Sequence, residues 1–453
     1  MTQVYFVSDH KVSKNVDSNP ITWFEDVSNA ELQRERIYFE EKAKERALKF
    51  DKILKNSPIR KSFVKFSSNI LGCIIISVAS TFFCSLIPVH SLLNHPEFWY
   101  EMIIPGVPWS ILNGLYFSFV ASSYMNLNHI KQMRYIIFLC LLGCIITIVI
   151  IVSAHALWSY GLGYQIPLPF TGYAVAYAVL LSNMPVQWFM FPLEWRKNPS
   201  FRKRLKYLML NYVSGLVIPV IYNMMAKMLL TVPTNYQPIV SFGFPLLEKI
   251  TCLICNAWVR NASNGDSSGS ILINSCIIAA RHIIQLCYVL GSIATDTTTW
   301  VIMGMTFISN VYSCLQILWE KKRNPREVEK LASLLQNLAS TEMIEVLASL
   351  TFMLSLIVAY FGPNAALIGN VGSSLFHYRR IIDIGHTVEN MFTLFLTEFS
   401  SIILTGAILK VFSNINLISV FIVVGSEFGI VFCILLSFMG ASVSFNHSII
   451  RIE

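Results

Sequence analysis

The chain has two textures. Residues 1–65 mix acidic and basic side chains densely, and the remainder is mostly long apolar stretches joined by short polar connections. A helix of about 20 apolar residues matches the thickness of a bilayer's hydrocarbon core. Runs of this kind lie at 66–88, 102–124, 135–157, 171–193, 207–232, 241–259, 270–293 and 298–319, then at 343–361, 390–409 and 415–441. The pattern predicts an all-α, polytopic integral membrane helical bundle with 11 transmembrane helices, in a range of 10–12. The short apolar stretch 365–376 either re-enters, leaving 11, or crosses, giving 12.

Two amphipathic stretches stand outside these runs. Ser28 and Glu31 have capping-box spacing, in which hydroxyl and carboxylate serve free backbone N–H groups. Leu32, Phe39, Ala43, Phe50 and Leu54 then recur three or four residues apart or at multiples of it, predicting a cytoplasmic helix over about 28–57 that Pro58 would stop. Val328, Leu331, Leu335 and Leu338 mark the second stretch. The expected organisation is a cytoplasmic segment (1–65), a first membrane part (66–319), a basic amphipathic linker (320–341), a second membrane part (342–445) and a tail (446–453).

Charge assigns direction. Basic residues cluster at Arg60, Lys61 and Lys65, at Lys131 and Arg134, from Arg196 to Lys206, at Arg260, and from Lys321 to Arg326. The connections near 89–101, 158–170, 233–240 and 294–297 contain no Lys or Arg. With a cytoplasmic N-terminus, every basic connection up to Arg326 falls inside. The opening MTQVYFVSDHKVSK lacks the apolar core of a cleaved signal, so it is expected to stay on the mature protein. Trp99, Trp158, Trp195, Trp300 and Trp319 lie near the expected membrane borders, where amphipathic rings are comfortable.

Composition agrees: 54% of residues are hydrophobic and 13% charged, about half the charge of a soluble domain. The net charge of +8 belongs to membrane topology rather than to nucleic acid, which is not an expected partner. Ten cysteines all lie in apolar segments and read as small buried hydrophobes. Cys252 and Cys255 form a C-x-x-C without a second pair, so neither zinc nor any other cofactor is expected. Walker-type, G-x-S-x-G and H-x-x-x-H motifs are absent, as is a large soluble domain to host them.

Charges inside the apolar runs carry what chemistry there is, because a charge at the bilayer centre costs about 2.5–3.5 kcal/mol or more. They are Lys227, Glu248, Lys249, Arg281, His282, Glu398 and Glu427, with Glu342 and Glu345 at the expected start of the run from 343. Glu248 and Arg281 lie on consecutive runs at similar distances from their shared loop, which makes them candidates for a buried ion pair. Thr341-Glu342, Thr397-Glu398 and Ser426-Glu427 each place a hydroxyl beside a carboxylate, a pattern suited to handling a cation or proton. Glu342 also reads simply as an acid at a helix N-terminus. His377, Arg379 and Arg380 form a basic cluster suited to an anionic headgroup or ligand.

The expected function is a transporter or permease for a small solute or ion, with Glu248, Arg281, Glu398 and Glu427 lining a polar pathway. A channel or chemoreceptor with cytoplasmic gating helices is the alternative, and a membrane-embedded lipid-modifying enzyme the third. The expected partners are the lipid bilayer and the solute or ion, and a homo-oligomer is compatible with the sequence.

Overall fold

A computed structural model describes residues 60–85, 193–263, 296–324, 328–361 and 384–448, with isolated helical positions at 141–153, 188 and 271–281. The helix predicted over 28–57 and the run at 102–124 lie outside the described residues, and the runs at 135–157 and 171–193 lie mostly outside them. Every extended regular element described is an α-helix: α1 (Arg60–Ser85), α2 (Leu193–Lys197), α3 (Pro199–Thr231), α4 (Gln237–Ser263), α5 (Asp296–Arg323), α6 (Val328–Tyr360), α7 (Ile384–Ser413) and α8 (Leu417–Ser448). Six of them, all but α2 and α3, contain segments long and apolar enough to cross a membrane. This is the architecture of an integral membrane protein.

The amphipathic stretch expected within the linker 320–341 is helical and continuous with the apolar run that follows it. Residues 328–341 form the first half of α6, a single helix whose apolar span covers Lys330–Val358. The amphipathic stripe Leu331, Leu335 and Leu338 is buried in the core with Ile344, Leu347 and Phe352 farther along the same helix. A helix enclosed by other helices can keep polar residues such as Gln336 and Ser340 on an inward face.

Side-chain contacts fix the relative directions. Asn69 meets Gly425 and Cys73 meets Gly429, so α1 and α8 run parallel. Asn310 meets Ser401 and Lys321 meets the end of α7 at Ser413, so α5 and α7 are parallel. Ser349 meets Glu398 while Thr405 lies beside Glu342, making α6 antiparallel to α7. Asn414, with φ 53°, takes the left-handed turn that ends α7, and the chain re-enters a helix at Leu417. The starts of α1, α6 and α8 and the ends of α5 and α7 therefore share one face. That face carries Arg60, Lys61, Lys65, Lys321, Lys322, Arg323 and Lys410. Trp300 and Trp319, at the two ends of the α5 span, are both exposed.

The α1–α8 seam is the closest packing described. Helices in an apolar solvent approach through small residues and gain from hydrogen bonds between them. Asn69 Nδ2 donates to the Gly425 carbonyl at 2.8 Å, the Cys73 thiol to the Gly429 carbonyl at 3.4 Å, and the Cys433 thiol to the Gly72 carbonyl at 3.8 Å. A Cβ on Gly425 would lie 2.5 Å from Phe66 Cδ2, and one on Gly429 would lie 2.5 Å from Asn69 Cβ. These cysteines pack as small residues, as the sequence predicts; Cys73, Cys252, Cys255 and Cys433 are all free thiols.

Gly429→Ala is expected to lower stability by about 1–3 kcal/mol, because Asn69 Cβ sits next to the backbone and cannot swing aside. Gly72→Ala, with nothing within 4 Å of the added carbon, should change little beyond helix propensity. Thermal unfolding of the two variants in nanodiscs checks the contrast, and equal melting temperatures would refute this account of the seam.

Candidate functional site: a buried carboxyl–guanidinium cluster

Polar side chains on α6 and α7 fall at helical spacing. Glu342, Glu345 and Ser349 stand three and four residues apart, and so share one face of α6. Glu398, Ser401 and Thr405 do the same on α7. All six are buried, in helices whose other faces are apolar. Asn310 of α5 and Glu248 of α4 are buried near the middle residues of their own spans. Arg281 comes from the helical positions 271–281, which lie alongside α6: Asn274 meets Asn337 and Arg281 meets Glu345, seven and eight residues on. The groups converge because each is the inward polar position at about the mid-point of its helix.

Arg281 is the centre. Its Nε lies 2.8 Å from Glu248 Oε2, close but poorly aligned for a hydrogen bond, and its Nη2 donates to Glu345 Oε1 at 2.9 Å. The Asn310 amide nitrogen donates at 3.3 Å both to Glu345 Oε2 and to Ser401 Oγ, bringing in α5 and α7. Ser349 donates to Glu398 Oε2 at 2.7 Å, closing α6 onto α7. Lys249 Nζ stands 3.9 Å from Glu248 Oε1 with its side chain 47% exposed, so the cluster reaches the outer surface of α4 there.

Two buried groups border this network without a hydrogen-bond partner among the described residues. Glu342 is fully buried, and the Thr405 hydroxyl beside it is turned to the carbonyls of Ser401 and Ile402. The fully buried Tyr222 hydroxyl, from α3, is within electrostatic reach of Glu248 and Arg281, its ring stacked on Phe244 at 6.0 Å. Phe244 precedes Pro245, which interrupts the α4 hydrogen-bond ladder one turn before Glu248. Among the described residues, three buried carboxyl groups, Glu248, Glu345 and Glu398, thus lie within electrostatic reach of one buried guanidinium, and a fourth, Glu342, lies beside Glu345. No group of three acidic, His or Cys side chains among them converges closely enough to hold a metal ion.

The Glu248–Arg281 pair expected from loop distances is present, and Glu398 lies in the same cluster. Glu427 does not: its side chain is on the exposed side of α8. Lys227 lies on α3 with its side chain outside the described set, and His282, His377, Arg379 and Arg380 are outside the described residues. Glu342 is not at a helix N-terminus but fourteen residues inside α6, so the dipole explanation for it fails. Glu345 and Asn310 are absent from the expected pathway residues. Their signal is legible as a polar stripe at three- and four-residue spacing on α6 and as a lone amide within the run 298–319. No family model, curated protein or solved structure matches the chain.

Removing one partner of a buried ion pair leaves an uncompensated charge, typically at a cost of about 3–5 kcal/mol. Arg281→Met, which strips the guanidinium from both Glu248 and Glu345, is expected to lose about that much. Glu345→Gln should lose less, because Arg281 keeps Glu248. Chemical denaturation in nanodiscs ranks the two, and Arg281→Met as stable as the parent chain would mean that the guanidinium does not hold the cluster together.

Proposed function

We propose that this protein is a multi-pass transporter or permease for a small solute or ion, with its coupling site at the Glu248–Arg281–Glu345–Glu398 cluster. One observation carries the reading: three carboxyl groups are buried within reach of a single guanidinium, and a fourth beside one of them, near the middle of apolar helices. A low-dielectric interior does not tolerate that excess of negative charge, so protons or a bound cation must balance it. A group whose charge is balanced by an exchangeable cation is suited to coupling, because gain or loss of the cation changes the energy of every neighbour. Intramembrane ionisable groups are functional candidates for the same reason.

Asn310, Ser349 and Ser401 would adjust to a change in charge state, since amide and hydroxyl groups can reorient between neighbouring oxygens. Lys249 marks where the cluster is nearest the outer surface of α4. By the Lys/Arg bias, the basic face is assigned to the cytoplasm together with the N-terminus. A channel using the same carboxylates is the competing reading, and it differs in predicting flux that needs no second species.

The test is reconstitution into proteoliposomes with a trapped pH dye, under an imposed potassium diffusion potential and a panel of amino acids, sugars and inorganic ions. Proton entry that depends on one solute class is the expected result. Glu398→Gln and Glu345→Gln should reduce it at least about tenfold, whereas Glu427→Gln, outside the cluster, should leave it near the parent rate. Proton or ion entry without any solute would favour the channel. Absence of flux with every species would leave the cluster a structural fastening and overturn the transport reading.

A further inference from the structure

The antiparallel register of α6 and α7 sets two hydroxyl–carboxyl pairs between them. Ser349 of α6 faces Glu398 of α7, and seven residues away on each helix Glu342 of α6 lies beside Thr405 of α7. All four side chains are buried. The two pairs have opposite hydrogen-bond polarity. Ser349 donates to Glu398 Oε2 at 2.7 Å, so this carboxyl accepts. Thr405 gives its hydrogen to the backbone carbonyls of Ser401 at 2.8 Å and Ile402 at 3.1 Å. A hydroxyl carries one hydrogen and two lone pairs. Thr405 Oγ1 can therefore only accept from Glu342, and an ionised carboxylate has no hydrogen to give.

The other groups around Glu342 supply neither a donor nor a positive charge. The Cys314 thiol of α5 is within electrostatic reach, but it is directed at the Thr405 carbonyl at 3.9 Å. Glu345 on the same helix and Glu398 of α7 are the ionisable neighbours, and both are acids. Arg281 is engaged by Glu248 and Glu345, and Lys249 stands beside Glu248. At Met343, the next residue, α6 packs on Gly425 of α8 beside Phe66 of α1, so that side is apolar. Both oxygens of Glu342 are thus buried without a hydrogen-bond partner among the described residues. A hard metal ion such as Ca2+ or Mg2+ takes about six or more oxygen ligands, far more than this carboxyl and one hydroxyl offer. A proton needs a single acceptor.

We propose that Glu342 is a proton-binding site, whose carboxyl holds a proton donated to Thr405 Oγ1 and exchanges it with Glu345 as the cluster changes charge. Glu342 and Glu345 stand three residues apart on one face of α6, so both cannot be ionised there without strong repulsion. A proton on one therefore favours ionisation of the other. The exchange moves one proton from Glu342 to the Glu345 carboxylate once Arg281 no longer engages it, and leaves Glu342 as the carboxylate. No net charge is gained or lost in that step. Because α6 starts at the basic face, Glu342 is the nearer of the two to that face. The exchange rests on the transport reading and names the proton as the coupled ion; the presence of the proton on Glu342 does not rest on it.

The test is infrared difference spectroscopy of the whole protein in nanodiscs at neutral pH, read in the C=O stretch that protonated carboxyls have and carboxylates lack. Glu342→Gln keeps the shape and neutrality of the protonated side chain and should remove one such band. Thr405→Val leaves the carboxyl in place and should shift the same band, because the proton loses its acceptor. Melting temperatures check that both variants fold, and if Glu342→Gln does not, the shift in Thr405→Val still decides. In the proteoliposome assay, Glu342→Gln should slow solute-dependent proton entry by about tenfold or more, since Gln holds no exchangeable acid proton. A difference spectrum with no band lost, or proton entry at the parent rate in Glu342→Gln, overturns the proposal. So does a sodium-dependent rise in the parent melting temperature that Glu342→Gln abolishes without losing a band, which would put a metal cation in the proton's place. A parent chain that shows the band but moves no protons with any solute sinks the transport reading and the exchange, and upholds the bound proton.

Discussion

One guanidinium organises the membrane interior of this protein. Arg281 is buried among apolar helices, where an unpaired charge would cost several kcal/mol, and it is compensated from two sides by Glu248 and Glu345. The compensation is mutual, since neither carboxylate would be tolerated at that depth alone. Through Glu345 the constraint passes to Asn310, and from Asn310 to Ser401. The helical positions around Arg281 and the four helices α4 to α7 are therefore held at a common level by electrostatics, while their apolar faces only require that they be buried. Packing alone would let helices slide by a turn; a charged triad near their mid-points does not.

The same triad separates the fold from its chemistry. The apolar core groups Leu335, Ala339, Ile344, Phe352, Leu394 and Leu409 with residues from every long helix described. Such a core tolerates exchange among aliphatic side chains of similar volume. The polar stripe on α6 and its counterpart on α7 have no such latitude, because each buried oxygen needs a donor or a proton. Glu342 and Tyr222 mark where that requirement is not met from within the described residues.

Much of the fold is legible in the sequence, since hydrocarbon thickness and helical rise leave few ways to read a long apolar run. The runs at 66–88, 241–259, 298–319, 390–409 and 415–441 each coincide with a described span. The amphipathic stretch from Val328 is legible too, but not that the candidate span reaches back into it, since Gln336, Ser340 and Glu342 are polar and face inward. The site is half legible. Glu248, Arg281 and Glu398 stand out as charges in oil, and loop distances pair the first two. Glu345 is obscured by the misplaced helix start, and Asn310 because a single amide in an apolar run carries no sign. Glu427 shows the converse: a carboxylate deep in an apolar run need not face the same way as the others.

The parallel α1–α8 seam bears on how the chain is made. Asn69 and its partner Gly425 are 356 residues apart, so the first helix described is synthesised long before the helix that satisfies it. At roughly 5–20 residues per second, the interval is on the order of twenty to seventy seconds. During that time the Gly425 carbonyl that Asn69 meets does not yet exist. The α1–α8 contacts are consequently made late, and a chain cut short before α8 lacks the carbonyl that Asn69 meets.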